Sequence, residues 1–219
     1  MQSVNHHSQK EKIQIMMMRG NKKDNLESMN TAKHEGKQMS DKELVEGCIA
    51  GKNKCQEALY KRFAGAMMTV CLRYFKLEVE AEDALQEAFI KIFLNLRHFK
   101  FESTLGYWIK RVTINTVLSK IHRKKTEGVG IEVSEYEEDI PYVTVEKDPV
   151  VPMNVLMEMI QDLPNGYRMV FNMREIDGYE LQEIADKMQC SNITVRTQLF
   201  KAKNKLKENI EDWLKGEYK

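Results

Sequence analysis

Proline, glycine and runs of β-branched residues are scarce in this sequence. It has 4 prolines and 11 glycines among its 219 residues. Because proline and glycine interrupt regular elements, their scarcity leaves room for long helices. The apolar residues recur at the 3.6-residue period over much of the chain, which is typical of amphipathic helices. We therefore predict an all-α protein.

Long hydrophobic runs and cysteine pairs are absent as well. No apolar run approaches the roughly 20 residues that cross a bilayer, and nothing resembles a signal peptide. The cysteines form no CxxC pair and match no disulfide framework, which predicts reduced, mostly buried thiols in a cytoplasmic protein. They are Cys48, Cys55, Cys71 and Cys190.

Catalytic and metal-binding clusters are also missing from the sequence. His6 and His7 are followed by no further ligands at useful spacing, and no catalytic constellation appears. We therefore expect no enzymatic activity, no cofactor and no metal site.

Charge is nearly balanced overall, with 34 Lys+Arg against 33 Asp+Glu, but it is segregated along the chain. Two segments, residues 103–125 and 187–207, contain bases and no acid. Residues 78–87 hold five acids and no base, and residues 127–148 hold eight acids against one lysine. This segregation predicts that a polyanion binds at two places and that acidic surface serves another purpose.

Periodic and aperiodic segments alternate in an order that predicts two helical domains. Residues 1–39 are polar and aperiodic, which predicts a disordered tail, and Met39 is a candidate for the true start of the protein. Residues 40–125 contain four predicted helices, the first of them capped by Ser40 or Asp41. Residues 126–152 combine acids with glycine and proline, which predicts a flexible linker. Residues 153–219 form the second domain, with helices predicted at 153–163, 167–175, 181–188 and 192–214.

The acid-free segment 103–125 is predicted to be one amphipathic helix that follows a short polar turn. Its apolar stripe has the i, i+3, i+4, i+7 spacing that must face a core: Ile114, Val117, Leu118 and Ile121. The opposite face carries Trp108, Arg111, Asn115, Ser119 and His122. Cations meet phosphates, amides pair with base edges and an indole stacks on unpaired bases, so this face is a candidate nucleic-acid site. The alternative is a surface helix whose tryptophan packs under a neighbour.

The helix predicted at residues 81–96 has apolar residues on two sides. Its core stripe consists of Leu85, Ala88, Phe89, Ile92, Phe93 and Leu96. On the other side lie Asp83, Glu87, Ile90 and Leu94. Apolar groups among acids on an outward face indicate a docking surface for another protein. The alternative is a helix buried on both sides within its own domain.

The last two predicted helices have the spacing of a helix-turn-helix. Ile184, Ala185 and Met188 bury the first helix, and Ser191 can cap the second. The inward stripe of the second helix is Val195, Leu199, Ala202 and Leu206, and its outward residues are Thr194, Thr197, Lys201 and Asn204, flanked by Arg196 and Lys207. The outward turns of such a helix enter the major groove of DNA. A plain amphipathic hairpin is the alternative.

Taken in order, these segments resemble the extracytoplasmic-function (ECF) sigma factors of bacterial RNA polymerase. The resemblance covers about residues 40–214 and rests on segments that look like the family's region two and region four: Asp41–Val45, Ala81–Phe93, Phe99–Asn115, Leu163–Phe171, Glu183–Ala185 and Ser191–Arg196. It implies a region-two helical bundle and a region-four helix-turn-helix joined by the acidic linker. Gln189 and Ile193 depart from the family, which often has glycine at both positions.

The resemblance also implies partners and site residues. Contact with the minus-ten element and its melted non-template strand is expected from Ser103, Thr104, Tyr107, Trp108, Arg111, Asn115 and Ser119. Contact with the duplex minus-thirty-five element is expected from Ser191, Thr194, Arg196, Thr197 and Lys201. Docking on a coiled coil of the largest subunit of core RNA polymerase is expected from Asp83, Gln86, Glu87, Ile90 and Leu94. An anti-sigma factor is a further candidate partner, and no membrane is involved.

Two other functional classes remain open at this point. In a one-component regulator, residues 153–219 would bind operator DNA without polymerase, and the first domain would dimerise or sense a ligand. An adaptor would bind only protein through the acidic stripe, although the two acid-free segments argue against it.

Overall fold

A computed structural model describes residues 39–126, 151–216 and 218. Within these residues every regular element is a helix, which confirms the all-α prediction. The predicted tail (1–39, except Met39) and nearly all of the predicted acidic linker (126–152) lie outside the described residues. None of the described helices is both long enough and apolar enough to cross a bilayer.

The described chain divides into two units. The first contains the chain up to Cys71 together with Glu78–Lys120, and the second contains Leu72–Leu77 together with the chain from Ile121 on. The helices of the first unit are α1 (Asp41–Ile49), α2 (Asn53–Tyr74), α3 (Glu78–Asn95) and α4 (Leu105–Thr126), with a 3-10 turn at Leu96–His98. The last residues of α2 and of α4 belong to the second unit.

Helix α1 begins at the predicted cap. The Glu43 N–H donates to the Ser40 hydroxyl at 3.3 Å, and the Ser40 N–H donates to the Glu43 carboxylate at 2.8 Å. This reciprocal capping box satisfies two backbone donors that a helix start leaves open. Leu44, Val45 and Cys48 of α1 are buried, whereas Ile49 is 55% exposed. It is the last residue of α1, where the chain turns away through Gly51 at φ +72°.

The core of the first unit contains the predicted stripe of residues 81–96 and most of the predicted stripe of α4. All six residues of the first stripe are buried, five of them in α3 and Leu96 in the 3-10 turn, and so are Ile114, Val117 and Leu118 of α4. Ile121 is also buried but belongs to the second unit. Tyr60 of α2 packs edge-on against Phe89 of α3, with ring centroids 4.7 Å apart. Such aromatic contacts add about 0.5–1.5 kcal/mol beyond the area they bury.

Helices α1 and α2 approach closely at Gly47. A Cβ at that position would lie 2.2 Å from the Cys55 sulfur, so the packing requires glycine. Burial, with a smaller contribution from Cys55, raises the pKa of the nearby Cys48 thiol to about 12. Cys48, Cys55 and Cys71 are buried, as predicted for structural thiols, whereas Cys190 is only half-buried.

The second unit contains α5 (Met153–Asp162), α6 (Asn165–Phe171), α7 (Leu181–Met188) and α8 (Asn192–Lys215). Its hydrophobic core joins α5 to α8 through Met159, Ile160, Leu163, Ala202 and Leu206. A buried polar cluster lies beside it. The guanidinium of Arg73 donates to Asp177 at 2.9 Å, and the Tyr74 hydroxyl donates to the other oxygen of that carboxylate at 2.7 Å. Burial, and then the charge of Asp177, raise the pKa of Tyr74 well above its ordinary value.

The helix predicted at residues 167–175 does not continue as one α-helix. Helix α6 ends at Phe171, and a wider π turn follows at Asn172–Ile176. In this turn the Asp177 N–H donates to the Asn172 carbonyl, five residues earlier. The buried Asn172 amide donates to the Arg73 carbonyl at 2.8 Å, so a contact distant in sequence holds the turn.

Candidate nucleic-acid and protein interfaces

Helices α7 and α8 form the predicted helix-turn-helix. Ile184 and Ala185 of α7 are buried, and Met188 is half-buried. Gln189 then takes a left-handed conformation, with φ 54° and ψ 45°. The Cys190 N–H donates to the Ala185 carbonyl at 3.1 Å and closes the turn. Gln189 therefore adopts the left-handed backbone that glycine usually provides at the end of a helix.

Helix α8 begins at Ser191, as predicted. The Ser191 hydroxyl accepts from the Thr194 N–H at 3.0 Å, and the two hydroxyls lie 2.8 Å apart. Val195, Ala202 and Leu206 of the predicted inward stripe are buried, while Leu199 is half-buried. The cap and the stripe together fix which side of α8 is left to solvent.

The five residues assigned to duplex DNA lie along the first three turns of α8. Ser191 and Arg196 are exposed, and Thr194, Thr197 and Lys201 are half-buried. Arg196 and Lys201 have no acidic partner in the described part of the chain. Ile193, in the first turn, is 62% exposed. This end of α8 therefore presents two cations, three hydroxyls and one aliphatic side chain.

The lysines further along α8 are engaged within the protein. Lys203 contacts Glu175 at 2.9 Å and Lys205 contacts Glu208 at 3.1 Å. Lys207 lies 3.8 Å from Glu211. The cations with no acidic partner are concentrated at the start of the helix.

Three amide side chains of the helix-turn-helix were not identified from the sequence. The Asn192 side-chain amide donates to the side-chain oxygen Oε1 of Gln182 at 3.0 Å, and the Gln182 side-chain amide donates to the Asp186 carboxylate at 3.0 Å. This chain joins the first residue of α8 to α7. Gln198 is 2% exposed, and a Cβ on Gly166 would lie 3.2 Å from its Oε1 atom. Two amide side chains ten residues apart, one on each side of the predicted turn, are the sequence signal that could have identified the Gln182–Asn192 pair.

Helix α4 and the loop before it form the second surface. Ser103, Thr104, Tyr107, Asn115 and Ser119 are exposed, and Arg111 is half-buried. The Thr104 hydroxyl accepts from the Tyr107 N–H at 3.3 Å and caps the helix. The Arg111 guanidinium lies 6.0 Å from the Tyr107 ring centroid. A cation and an accessible aromatic ring thus stand together at the start of an acid-free helix.

Trp108 fits parts of both interpretations of its helix: an accessible nucleic-acid face, and a tryptophan that packs under a neighbour. Its ring lies 5.5 Å from that of Phe99, so it does pack on a neighbour. It is nevertheless only half-buried, not fully exposed as expected. The indole thus contacts Phe99, and part of the residue remains accessible.

A further aromatic residue, Phe101, was not identified from the sequence. Its ring lies 4.7 Å from Phe99, and it is 50% exposed. Phe99 and Phe101 of the loop 99–104 and Trp108 of α4 therefore form a cluster of three rings, in which the buried Phe99 contacts the other two.

The outward face of α3 is the third surface. Asp83 is exposed, and Gln86, Glu87, Ile90 and Leu94 are half-buried, so this face is not enclosed within its own unit. Lys120 of α4 forms an ion pair with Asp83. Glu87 pairs with Lys91, one turn along, at 2.9 Å. Because Lys120 is paired with Asp83, it does not add a cation to the face of α4 that carries Arg111 and Asn115.

Comparisons with known proteins bear on both units. The family model "Sigma-70 region 2" matches residues 59–127, and "Sigma-70, region 4" matches residues 153–206. The RNA polymerase sigma-H factor of Pseudomonas aeruginosa is 27% identical over 190 residues, covering 81% of this chain and 97% of that protein. The ECF RNA polymerase sigma-E factor of Escherichia coli strain K12 is 27% identical over 184 residues, covering 80% and 96%. A solved structure of the sigma factor RpoE of Bartonella quintana, in complex with the anti-sigma factor NepR, matches with a TM-score of 0.44 and 17% identity over 68% of this chain and 92% of that one.

Proposed function

This chain belongs to the sigma-70 family as an ECF-type RNA polymerase sigma factor, and from that premise we propose how its residues select and open a promoter. It acts in transcription initiation with RNA polymerase. One observation carries the proposal: each unit presents its own surface suited to DNA, and each falls within a separate sigma-70 region. The first unit acts as region two, and α5–α8 act as region four.

Recognition of the minus-thirty-five element falls to the start of α8. The helix enters the major groove, where Arg196, Thr197 and Lys201 meet base edges and phosphates. The Ser191 cap and the Gln182–Asn192 pair support this role because they hold the start of α8 against α7. A good bidentate contact from arginine to guanine discriminates by about 1–3 kcal/mol.

Opening of the minus-ten element falls to the loop 103–104 and to the outer face of α4. Unpaired non-template bases stack against Trp108, while Arg111 and Asn115 contact the strand. Unstacking a base from the duplex costs a few kcal/mol. Stacking on an aromatic side chain returns about 1–3 kcal/mol per base. Capture of unpaired bases therefore shifts the equilibrium toward the melted strand without covalent chemistry.

Attachment to polymerase falls to the outward face of α3. Asp83, Glu87 and Ile90 dock on the coiled coil of the largest subunit. The support is the mixture of acids and half-buried apolar side chains on a helix whose other face is already in the core. Free in solution the chain binds promoters weakly, because each DNA surface is small. The polymerase holds both at fixed separation, so two weak contacts act as one strong one.

An anti-sigma factor would act by covering this docking surface. We place the protein in the cytoplasm, where core polymerase is found, and we assign the nucleotidyl transfer to the polymerase and not to this chain.

Transcription reconstituted from purified components tests the proposal. Core polymerase from the source organism is incubated with its genomic DNA, with and without this chain, and the RNA 5′ ends are sequenced. We expect new start sites that share two upstream elements at fixed spacing. Duplex binding by the chain alone, with no change in start sites, would instead identify a one-component regulator. Binding to polymerase that leaves the start sites unchanged would identify an adaptor.

A further inference from the structure

Phe101 has a backbone conformation that its residue type disfavours. It lies in the loop between the 3-10 turn and α4, with φ at +59°. Within the described residues only one other non-glycine residue has a positive φ, and that is Gln189 in the helix-turn-helix. For a bulky residue this is a true outlier. Outliers of this kind persist where the surrounding structure holds them, and they concentrate at functional sites.

The Phe101 side chain is not needed to fill the core. The ring is 50% exposed, and its only ring neighbour in the described structure is the buried Phe99, at 4.7 Å and 52° between planes. Phe99 in turn contacts Trp108 at 5.5 Å. Glycine at position 101 would remove the strain, and the core would lose only the buried part of one ring. The stability of the fold therefore does not explain a phenylalanine here.

The surroundings of Phe101 favour an unpaired nucleobase as the partner of the ring. The loop leads directly into the acid-free helix, and Tyr107 and Arg111 provide a second accessible ring with a cation 6.0 Å from its centroid. Lys100 and Glu102 flank Phe101 and offset one another, so phosphate attraction is not the chemistry of this position. What the position offers is an aromatic surface, and bases stack on such surfaces with little sequence preference.

We propose that Phe101 is a stacking platform for an unpaired base of the opened promoter strand. It extends the surface provided by Trp108, with Phe99 packed between the two rings. This inference rests on the proposed role of the first unit in promoter opening, and it adds a residue that is not among the site residues expected from the sequence.

Replacement of Phe101 by glycine separates a stacking role from a structural one. Glycine adopts φ +59° without steric strain, and this gain offsets its greater loss of conformational entropy and the loss of the half-covered ring. F101G should therefore unfold at about the same temperature as the wild-type chain, and it should titrate core polymerase equally. If the ring stacks on a base, holoenzyme carrying F101G should bind single-stranded non-template DNA about 5- to 150-fold more weakly. Permanganate reactivity of unpaired promoter thymines should fall in parallel.

Phe101→Trp is the matched control, because it keeps an aromatic surface on the same strained backbone. It should restore permanganate reactivity that F101G loses. A series of oligonucleotides, each with a single abasic site at a different position, then locates the stacked base. When the abasic site replaces that base, holoenzymes with the wild-type chain and with F101G should bind equally, as in a double-mutant cycle.

Each other outcome overturns the inference. If F101G opens promoters as well as the wild-type chain, the ring contributes nothing to opening. If F101G unfolds earlier or loses polymerase binding, the role of Phe101 is structural. If the wild-type holoenzyme directs no promoter-specific RNA synthesis, the proposed function fails first, and this inference fails with it.

Discussion

Replacing Gln189 by glycine should stabilise the second unit by about 0.5–1 kcal/mol. Gln189 closes the turn between α7 and α8 in a left-handed conformation, which costs a non-glycine residue roughly 1–2 kcal/mol. Glycine avoids this cost but loses about 0.5–1 kcal/mol more conformational entropy on folding. The side chain of Gln189 is exposed, so its removal sacrifices little packing. The difference between the two terms gives the expected gain.

The two tryptophans make this gain measurable in the full-length chain. Trp213 lies in α8, and Trp108 lies in α4. In a Trp108→Phe background, indole fluorescence reports only on the neighbourhood of Trp213. With an m-value of about 1 kcal/mol/M, Gln189→Gly should raise the urea midpoint by about 0.5–1 M.

Gln189→Ala is the matched control for this measurement. It removes the same side chain but keeps a Cβ in the left-handed region, so we expect no gain in stability. A glycine variant no more stable than the wild-type chain would show that the turn is not strained. An alanine variant as stable as the glycine variant would show that the side chain, and not the backbone, is unfavourable.

Three further predictions address the three surfaces. Trp108→Ala should reduce promoter opening by about 5- to 150-fold, which corresponds to the roughly 1–3 kcal/mol of one stacked base. Polymerase affinity should be retained. An equal loss of polymerase affinity in a gel-shift titration and of promoter opening in a permanganate assay would contradict the assigned role. Arg196→Ala should lower transcription from promoters with an intact minus-thirty-five element, because the lost contact is worth about 1–3 kcal/mol of binding free energy. Holoenzyme formation should be retained. Runoff assays on templates with and without that element would measure the effect. Glu87→Lys should weaken holoenzyme formation, because it reverses a charge on the docking face, while the partly exposed i,i+4 pair with Lys91 that it breaks is worth only about 0.3–0.5 kcal/mol to folding. An unchanged holoenzyme titration would remove Glu87 from that surface.

Local features of the fold were predictable because their signals lie within a few residues. Ser40 and Ser191 cap the helices that follow them, as expected from their position before an apolar period. The buried stripes of α3 and α4 follow from spacing alone, because an amphipathic helix must turn its apolar side inward. The turn of the helix-turn-helix was likewise placed correctly, although its left-handed residue is not a glycine.

The features that sequence reasoning missed depend on contacts between distant parts of the chain. The π turn after Phe171 is tied to Arg73, 99 positions away from Asn172. Gln198 is buried because α6 places Gly166 against it, which no periodicity on α8 reveals. The strain at Phe101 likewise cannot be seen in the sequence, since phenylalanine carries no preference for a positive φ. Which side chains touch DNA or polymerase stays a prediction.

The uneven burial of the four thiols makes the native chain suitable for site-selective labelling. Thiolate is the species that attacks a maleimide, and burial raises the pKa of Cys48 to about 12, where almost none forms at neutral pH. Cys55 and Cys71 are shielded by the core, whereas Cys190 is partly accessible beside the cap of α8. A dye added to the folded protein should therefore attach at Cys190 first, and its emission would report on the arrival of duplex at that turn without any engineered cysteine.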